Sequence, residues 1–317
     1  MIPPDERAGT PLGPGAEFDL IRRLLARWGP AAQGLGDDAA IVALPASARL
    51  VASTDTAVEE THFRWAWLSA EEIGWRATAG ALSDLAAMGA DPVGLLCAIT
   101  LPPDGAAVLD ELAAGIGAMA RRAACPIVGG DLTRGERWSL TMTALGAATR
   151  PVRRTGGRPG DRVYVTGRLG GPAAALAALA RGAIPDAAWR QRLARPVPRL
   201  DEGRWLAGQG VTAMIDVSDG LASELGHLAA AGAVAIDVAL ERVPCIAGVA
   251  PMAAAVSGEE YELVCLAPTD LDEAAFKRRF DLSLTRIGSV RAGEPAVQFT
   301  LDGNRVDPGR GYDHFSS

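Results

Sequence analysis

Carboxylates beside glycine or small hydroxyl residues recur five times along this chain. They are Gly36-Asp37-Asp38-Ala39, Ser53-Thr54-Asp55-Thr56, Ser83-Asp84-Leu85 running to Gly89-Ala90-Asp91, Gly129-Gly130-Asp131, and Asp216-Val217-Ser218-Asp219-Gly220. Each stands where an apolar, strand-like run ends or a helix begins, so that backbone and side chains can converge on a ligand. Histidine is nearly absent, with 3 among 317 residues. Oxygen donors without imidazole point to several hard cations. Hard cations held by a few carboxylates usually serve a polyphosphate, because Mg²⁺ keeps some waters and shares the rest of its shell with phosphate oxygens.

One lysine, Lys277, is present, inside Phe276-Lys277-Arg278-Arg279-Phe280; every other fixed cationic side chain is arginine. A Walker A loop needs Gly-Lys-Ser/Thr and a protein kinase needs a lysine on its third strand. Neither motif is present, so any handling of ATP uses another architecture.

The length of 317 residues fits about two domains on a prior of roughly 150 residues each. The 49% apolar and 22% charged fractions are ordinary for a globular enzyme. A net charge of −7 with no basic stripe argues against nucleic acid as a partner. Residues 1–15 are rich in Pro and Gly without an apolar stretch, and read as a loose tail rather than a secretory leader. The most apolar helical run, residues 173–180, is too short to span a bilayer, so no membrane role is expected. Cys97, Cys125, Cys245 and Cys265 lie far apart without a CxxC pair, which favours free thiols in a reducing cytoplasm.

The elements around the carboxylates follow from periodicity and punctuation. Phe18, Ile21, Leu24, Leu25 and Trp28 have helical spacing ahead of Gly29-Pro30. Residues 49–53 read as a strand delivering Thr54 and Asp55 at its end. Ser69-Ala70-Glu71-Glu72 resembles a capping box opening a helix to Met88, with Gly89 as its stop. Residues 93–101 form a strand, 105–123 a helix, 126–128 a strand ending in the Gly-Gly-Asp turn, and 138–148 a strand. The turn-rich, basic stretch 150–160 marks a boundary, giving a domain over 16–150 and a second over 151–317. The second half has strands at 161–166, 211–215, 233–239 and 261–267, and helices at 172–181, 221–230 and 271–280. Mixed elements without strict βαβ alternation favour a two-domain α+β protein.

Several motifs carry a plain reading beside the functional one. Gly34-Leu35-Gly36-Asp37-Asp38-Ala39 matches GxGxxA but precedes strand-like residues, against a dinucleotide site. Asp216-Val217-Ser218-Asp219-Gly220 lacks the glycine and glutamate of a calcium loop, since Leu221 and His227 stand there; Ser218 or Asp219 could cap the next helix. The Gly167-Arg168-Leu169-Gly170-Gly171 turn serves equally as an anion site or a plain strand–helix connection. Arg153-Arg154-Thr155-Gly156 reads as a phosphate-binding guanidinium or a solvated linker. His62, beside Phe63, Trp65 and Trp67, reads as structural or as part of a flat ring-binding pocket.

In this order, the segments resemble the thiamine-monophosphate kinase family of the superfamily that includes aminoimidazole ribonucleotide synthetase. The likeness runs from Glu17-Phe18 through Gly36-Asp37-Asp38, Ser53-Thr54-Asp55-Thr56, Leu82 to Pro92, Gly129-Gly130-Asp131, Arg154-Thr155-Gly156, Asp216 to Gly220 and Gly258-Glu259-Glu260-Tyr261-Glu262-Leu263 to Gly311-Tyr312-Asp313-His314-Phe315. The Ser83 segment, the Ser-Thr-Asp-Thr box and the Tyr-Asp-His-Phe tail are the parts most specific to the kinase.

The resemblance implies a homodimer packed through its N-terminal sheets, with ATP and several Mg²⁺ ions between two domains. By motif it implies Asp38, Ser53, Thr54, Asp55, Asp84, Asp131, Asp216 and Asp219 as metal ligands. Gly130, Asp131, Arg154 and Ser218 fall at ATP-binding positions, and His62, Glu259 and Tyr312 at positions for thiamine monophosphate. One departure stands out: Ser257-Gly258-Glu259-Glu260-Tyr261 replaces the usual Gly-Gly-Glu-Asp-Tyr.

The implied reaction makes thiamine diphosphate, and its acceptor is a phosphate monoester, mostly dianionic at pH 7, that needs no general base. It needs charge neutralisation, because like charges ~4 Å apart repel by roughly 4 kcal/mol at intermediate dielectric. Alternatives are another ATP-using superfamily member such as aminoimidazole ribonucleotide synthetase, or a non-catalytic metal-binding scaffold. A selenophosphate synthetase would carry an early reactive cysteine and nearby lysine, and a hydrogenase-maturation relative a C-terminal cysteine. Neither pattern is present.

Overall fold

The computed structural model describes residues 16–33, 35, 42–309 and 311–312. The Asp38 turn and the Asp-His-Phe end of the tail lie outside these residues. Two compact units result. One comprises residues 1–85 and 90–149, and the other residues 86–89 and 150–317. No described helix is long and apolar enough to cross a membrane.

The first unit runs α1 (Ala16–Trp28), β1 (Arg49–Val58), α2 (Ala70–Ala87), β2 (Asp91–Leu101), α3 (Leu109–Arg122), β3 (Ile127–Arg134) and β4 (Ser139–Ala148). The anticipated capping box opens α2: the Ser69 backbone N–H donates to Glu72 Oε2 at 2.9 Å, and the Glu72 N–H to Ser69 Oγ at 3.3 Å. Gly89, at φ +62°, closes it. Its strands form one sheet in the order β1-β4-β2-β3. Leu95, Cys97 and Ile99 on β2, and Leu140, Met142 and Ala144 on β4, are buried on the sheet face that packs on helices. Their neighbours Leu96, Ala98, Thr141 and Thr143 on the other face remain half-exposed.

Two strand expectations need correction. β1 continues through Thr54 and Asp55 to Val58, so these residues lie inside the strand. Hydroxyl pairs to β4 sustain the ladder there: Thr54–Thr143 at 2.9 Å and Thr56–Thr141 at 3.0 Å. Likewise Gly129-Gly130-Asp131 is interior to β3 rather than a turn. A Cβ on Gly130 would stand 2.0 Å from the Cys97 carbonyl oxygen, so glycine serves a close strand–strand approach.

The second unit continues β5 (Arg162–Thr166), α4 (Gly171–Ala180), α5 (Ala187–Ala194), α6 (Leu200–Gly208), β6 (Ala213–Asp216), α7 (Leu221–Gly232), β7 (Ala235–Ala239), α8 (Pro251–Ala255), β8 (Leu263–Ala267), α9 (Glu273–Phe280), β9 (Leu284–Arg291), β10 (Ala296–Leu301) and β11 (Asn304–Val306). Its sheet has the order β11-β10-β7-β9-β5-β8-β6, antiparallel except for β10 with β7. Val163, Val165, Ile215, Leu225, Leu228, Ile236, Val264 and Ile287 form the core beneath it. Helices α5, α6 and α8 were not expected: α5 and α6 lie in an arginine- and proline-rich stretch whose apolar spacing is faint.

Candidate functional site

Each unit carries its own acidic group. In the first, Ser53 on edge strand β1 donates its hydroxyl to Asp84 Oδ2 on α2. The Ser53 proton is thereby committed to Asp84, leaving lone pairs of both residues for a cation. Asp55 shares the Ser53 face of β1, two residues on, and its Oδ1 accepts the Thr56 backbone N–H at 2.8 Å. Thr54 faces the other side, paired with Thr143. These donors are all hard oxygen, which fits Mg²⁺.

Asp131 is not part of that group. The cross-strand row through Asp55 passes Met142 and Cys97 to Gly130, while Asp131 aligns with Ala98, Thr141 and Thr56. Asp131 therefore sits on the far edge strand and the opposite face, its Oδ2 accepting from Thr133 Oγ1 at 3.0 Å. Among the described residues no three of His, Cys, Asp and Glu come together as a metal-holding group.

His62 follows β1 in a tight turn: its Nδ1 accepts the Val58 backbone N–H at 3.0 Å, which places the neutral ring's proton on Nε2. The aromatics beside it do not form an open slot. Trp65 stacks edge-on against Phe63 and Trp138, with centroids at 5.6 Å in both cases, and ties its Nε1 to Glu59 at 2.9 Å. Trp67 lies under the Arg64 guanidinium at 4.6 Å.

In the second unit, β6 ends at buried Asp216, and the chain turns through Ser218, Asp219 and Gly220 into α7. Neither Ser218 nor Asp219 caps that helix; its N-cap is Gly220, at φ 112°. Glu224, buried in the first turn, reaches back instead, accepting from Ser218 Oγ at 3.2 Å and the Asp219 N–H at 2.9 Å. Burial pushes the Glu224 carboxyl above its ordinary pKa. Sequence reasoning passed over Glu224, although a carboxylate in the first turn after an acidic loop was the available signal.

Two distant segments are tied to the same turn. The Glu259 backbone N–H donates to the Ser218 carbonyl at 2.6 Å, and the Tyr312 N–H to the Asp219 carbonyl at 3.0 Å. Gly311, just before, donates to Ser223 Oγ at 3.1 Å, and a Cβ there would lie 1.7 Å from the Asp219 oxygen. Thus Asp216, Ser218, Asp219, Glu259 and Tyr312 are gathered in one place, with Tyr312 52% exposed. Arg154, in a short helical turn, follows Arg153, whose carbonyl accepts from Met214 N on β6 at 3.2 Å.

Behind this turn lies a charged network that sequence reasoning did not single out. Fully buried Glu262 takes Arg199 Nε at 2.8 Å and Nη2 at 2.5 Å, Arg192 Nη1 at 2.9 Å and Thr166 Oγ1 at 2.7 Å. Burial alone would push its carboxyl up; the charges of Arg199 and Arg192 and the hydrogen bonds reverse this and hold it at about 2.

The paired units are those of the AIR synthase related proteins: the family's N-terminal domain matches residues 36–148 and its C-terminal domain residues 158–299. The chain is 35% identical over 324 aligned positions to the thiamine-monophosphate kinase of Salmonella typhimurium, covering 95% of this chain and 98% of the relative. A crystal structure of thiamine-monophosphate kinase from Stenotrophomonas maltophilia superposes with a TM-score of 0.81 at 35% identity, over 92% of this chain and 98% of that one. The structure described as "AaThiL complexed with AMPPCP and TMP" gives a TM-score of 0.75 at 29% identity, over 94% and 96%. The chain belongs to the thiamine-monophosphate kinase family.

Proposed function

We propose that this chain transfers the γ-phosphoryl group of ATP to thiamine monophosphate, forming thiamine diphosphate, without a phospho-enzyme. What carries the reading is the gathering of Glu259 and Tyr312 onto the Ser218–Asp219 turn, in a family whose relatives are named for this reaction. Support for the two substrates comes from the related protein described with AMPPCP, in which a β,γ-methylene replaces the bridging oxygen of ATP, and TMP.

On this reading Asp38, Ser53, Thr54, Asp55, Asp84, Asp131, Asp216 and Asp219 hold Mg²⁺, and Mg²⁺ supplies neutralisation of the β- and γ-phosphates when bound. Arg154 brings a guanidinium to phosphate oxygens, and Gly130 presents backbone where a side chain has no room. The Ser218 hydroxyl, its proton given to Glu224, offers a lone pair. His62, Glu259 and Tyr312 orient thiamine monophosphate. No side chain need take a proton, because the acceptor oxygen belongs to a dianion.

The protein works, we infer, as a cytoplasmic homodimer. Asp131 and the Ser53–Asp55–Asp84 group belong to opposite edges and opposite faces of one sheet, so a second copy is the source from which an Asp131 could reach that group. The half-exposed face carrying Leu96, Ala98, Thr141 and Thr143 supplies surface for that copy.

Incubation with ATP, MgCl₂ and thiamine monophosphate, with free thiamine alongside, tests the reaction. Diphosphate formed from the monophosphate alone, and only with Mg²⁺, is expected. A stable aspartyl-phosphate after labelled ATP would overturn direct transfer.

A further inference from the structure

Ser257 and Glu260, the two positions at which the resemblance given above marks a departure, touch each other. Ser257 and Glu260, both fully buried, are joined by a 2.6 Å hydrogen bond from Ser257 Oγ to Glu260 Oε1. The same Oε1 accepts the Gly170 N–H at 2.5 Å, and Ser257 Oγ accepts the Ala173 N–H at 3.3 Å. Gly170 is the N-cap of α4 and has no side chain of its own to cap it, so Glu260 and Ser257 take that role. The helix end that could have held an external anion is therefore filled by the chain's own carboxylate, and the Gly167–Gly171 turn is closed to phosphate. Arg192 adds a second hold, its Nη2 reaching Glu260 Oε2 at 3.1 Å and the Glu260 carbonyl at 3.0 Å.

This anchoring frames an unusual backbone. Glu259 and Tyr261, on either side of Glu260, lie at φ +56° and +52°, a left-handed region that non-glycine residues seldom adopt. Opposite the α4 anchor, the Glu260 and Tyr261 N–H groups both donate to the Val217 carbonyl, at 3.1 and 3.0 Å. The loop is thus clamped between α4 and the Val217–Asp219 turn, with Glu259 at its crest. A glycine at 257 would remove the hydroxyl that ties both α4 and Glu260, and an aspartate at 260 would withdraw the carboxylate by one methylene. Either change alone breaks the clamp.

We propose that Ser257 and Glu260 are a matched pair of positioning residues that plug the N-terminus of α4 and thereby fix the left-handed turn presenting Glu259 to thiamine monophosphate. This rests on the reading that Glu259 contacts that substrate.

The test is steady-state kinetics with varied thiamine monophosphate on Ser257→Gly, Glu260→Asp, the double variant and Glu259→Gln. Each clamp variant alone is expected to raise KM for the monophosphate about tenfold with kcat within about twofold, the signature of lost uniform binding, equal in ground and transition states. The double variant should be no worse than either single, because contacting residues are not additive. A roughly hundredfold rise in the double variant, or a loss confined to kcat, would overturn the pairing. Silent clamp variants beside a Glu259→Gln with raised KM would overturn the positioning role alone. A silent Glu259→Gln would instead show that Glu259 is not a substrate contact, and would remove the basis of both. Should Glu260→Asp fail to fold, Ser257→Ala, which deletes a single buried oxygen, carries the same KM expectation and the same refutation.

Discussion

Asp55 and Asp131 occupy the two opposite edge strands of the N-terminal sheet, in neighbouring cross-strand rows, so their side chains leave opposite faces of it. Three interstrand spacings separate them, about 14 Å at the usual strand distance. No single Mg²⁺ ion, with ligand bonds of about 2 Å, can bridge them within one chain.

Complementation follows from that separation. Asp55→Asn and Asp131→Asn are each expected to lose turnover while keeping the fold. If the ligand set is completed by a second copy, refolding the two variants together creates heterodimers with one intact site, recovering about a quarter of wild-type activity by random pairing. Activity that stays at background in the mixture, with heterodimers demonstrated by differential tagging, would place the whole set in one chain.

Glu262 makes stability depend on acid in a defined window. Its carboxyl is held at about 2 against an ordinary value of 4.5. A lowered folded-state pKa contributes stability that is complete above the ordinary value and is lost as pH falls from about 4.5 through about 2. Arg199 contacts Glu262 without touching Glu260, so Arg199→Met spares the loop anchor, though it also removes the Arg199–Glu202 pair at 3.9 Å. At pH 7 the variant should be destabilised by about 2–3 kcal/mol, because buried Glu262 loses one of its two guanidinium partners while Arg192 and Thr166 remain. Its deficit relative to wild type should shrink as pH approaches 3. Melting temperatures measured across that range check the sign; a deficit that grows toward acid would refute it.

Local rules were legible where one segment settled its own structure. Ser69 and Glu72 announced the start of α2 and Gly89 its end, because capping is a contact between near neighbours. Thr54-Asp55 and Gly129-Gly130-Asp131 misled, because glycine and polar residues resemble turns until the partner strand is known. Thr143 and Cys97, which explain why those segments stay extended, stand 89 and 33 residues away along the chain. The Ser257–Glu260 clamp was visible only as a departure from a pattern. Its meaning depends on Gly170, 90 residues upstream of Glu260.

Thiol chemistry should be silent at three positions. Cys97, Cys125 and Cys265 are buried, and burial raises all three, Cys125 and Cys265 to about 12. Thiolate is the reactive form, so native protein at pH 8 should resist alkylation there. Cys245, half-buried, is the expected site of slow labelling. Mass mapping after iodoacetamide checks this; rapid modification of Cys97 in protein that retains activity would refute the packing around it.

The Gly311 contact gives a substitution whose effect should fall on substrate rather than on folding. The C-terminal strap crosses Asp219 so closely that a Cβ at position 311 would lie 1.7 Å from the Asp219 carbonyl oxygen. Backbone cannot yield there as the end of a flexible side chain could, so Gly311→Ala must lift the strap and break the Tyr312 N–H bond to that oxygen. Tyr312 is half-exposed and outside the core, so little apolar burial is lost and the melting temperature should move by only a few degrees. Orientation of thiamine monophosphate should suffer instead, with KM raised about tenfold, equivalent to about 1.4 kcal/mol of binding. Tyr312→Phe keeps the ring and strap and loses only the hydroxyl, so comparing the two separates the strap's position from the phenol's own contact. Unchanged KM in both variants would show that the tail does not touch the substrate.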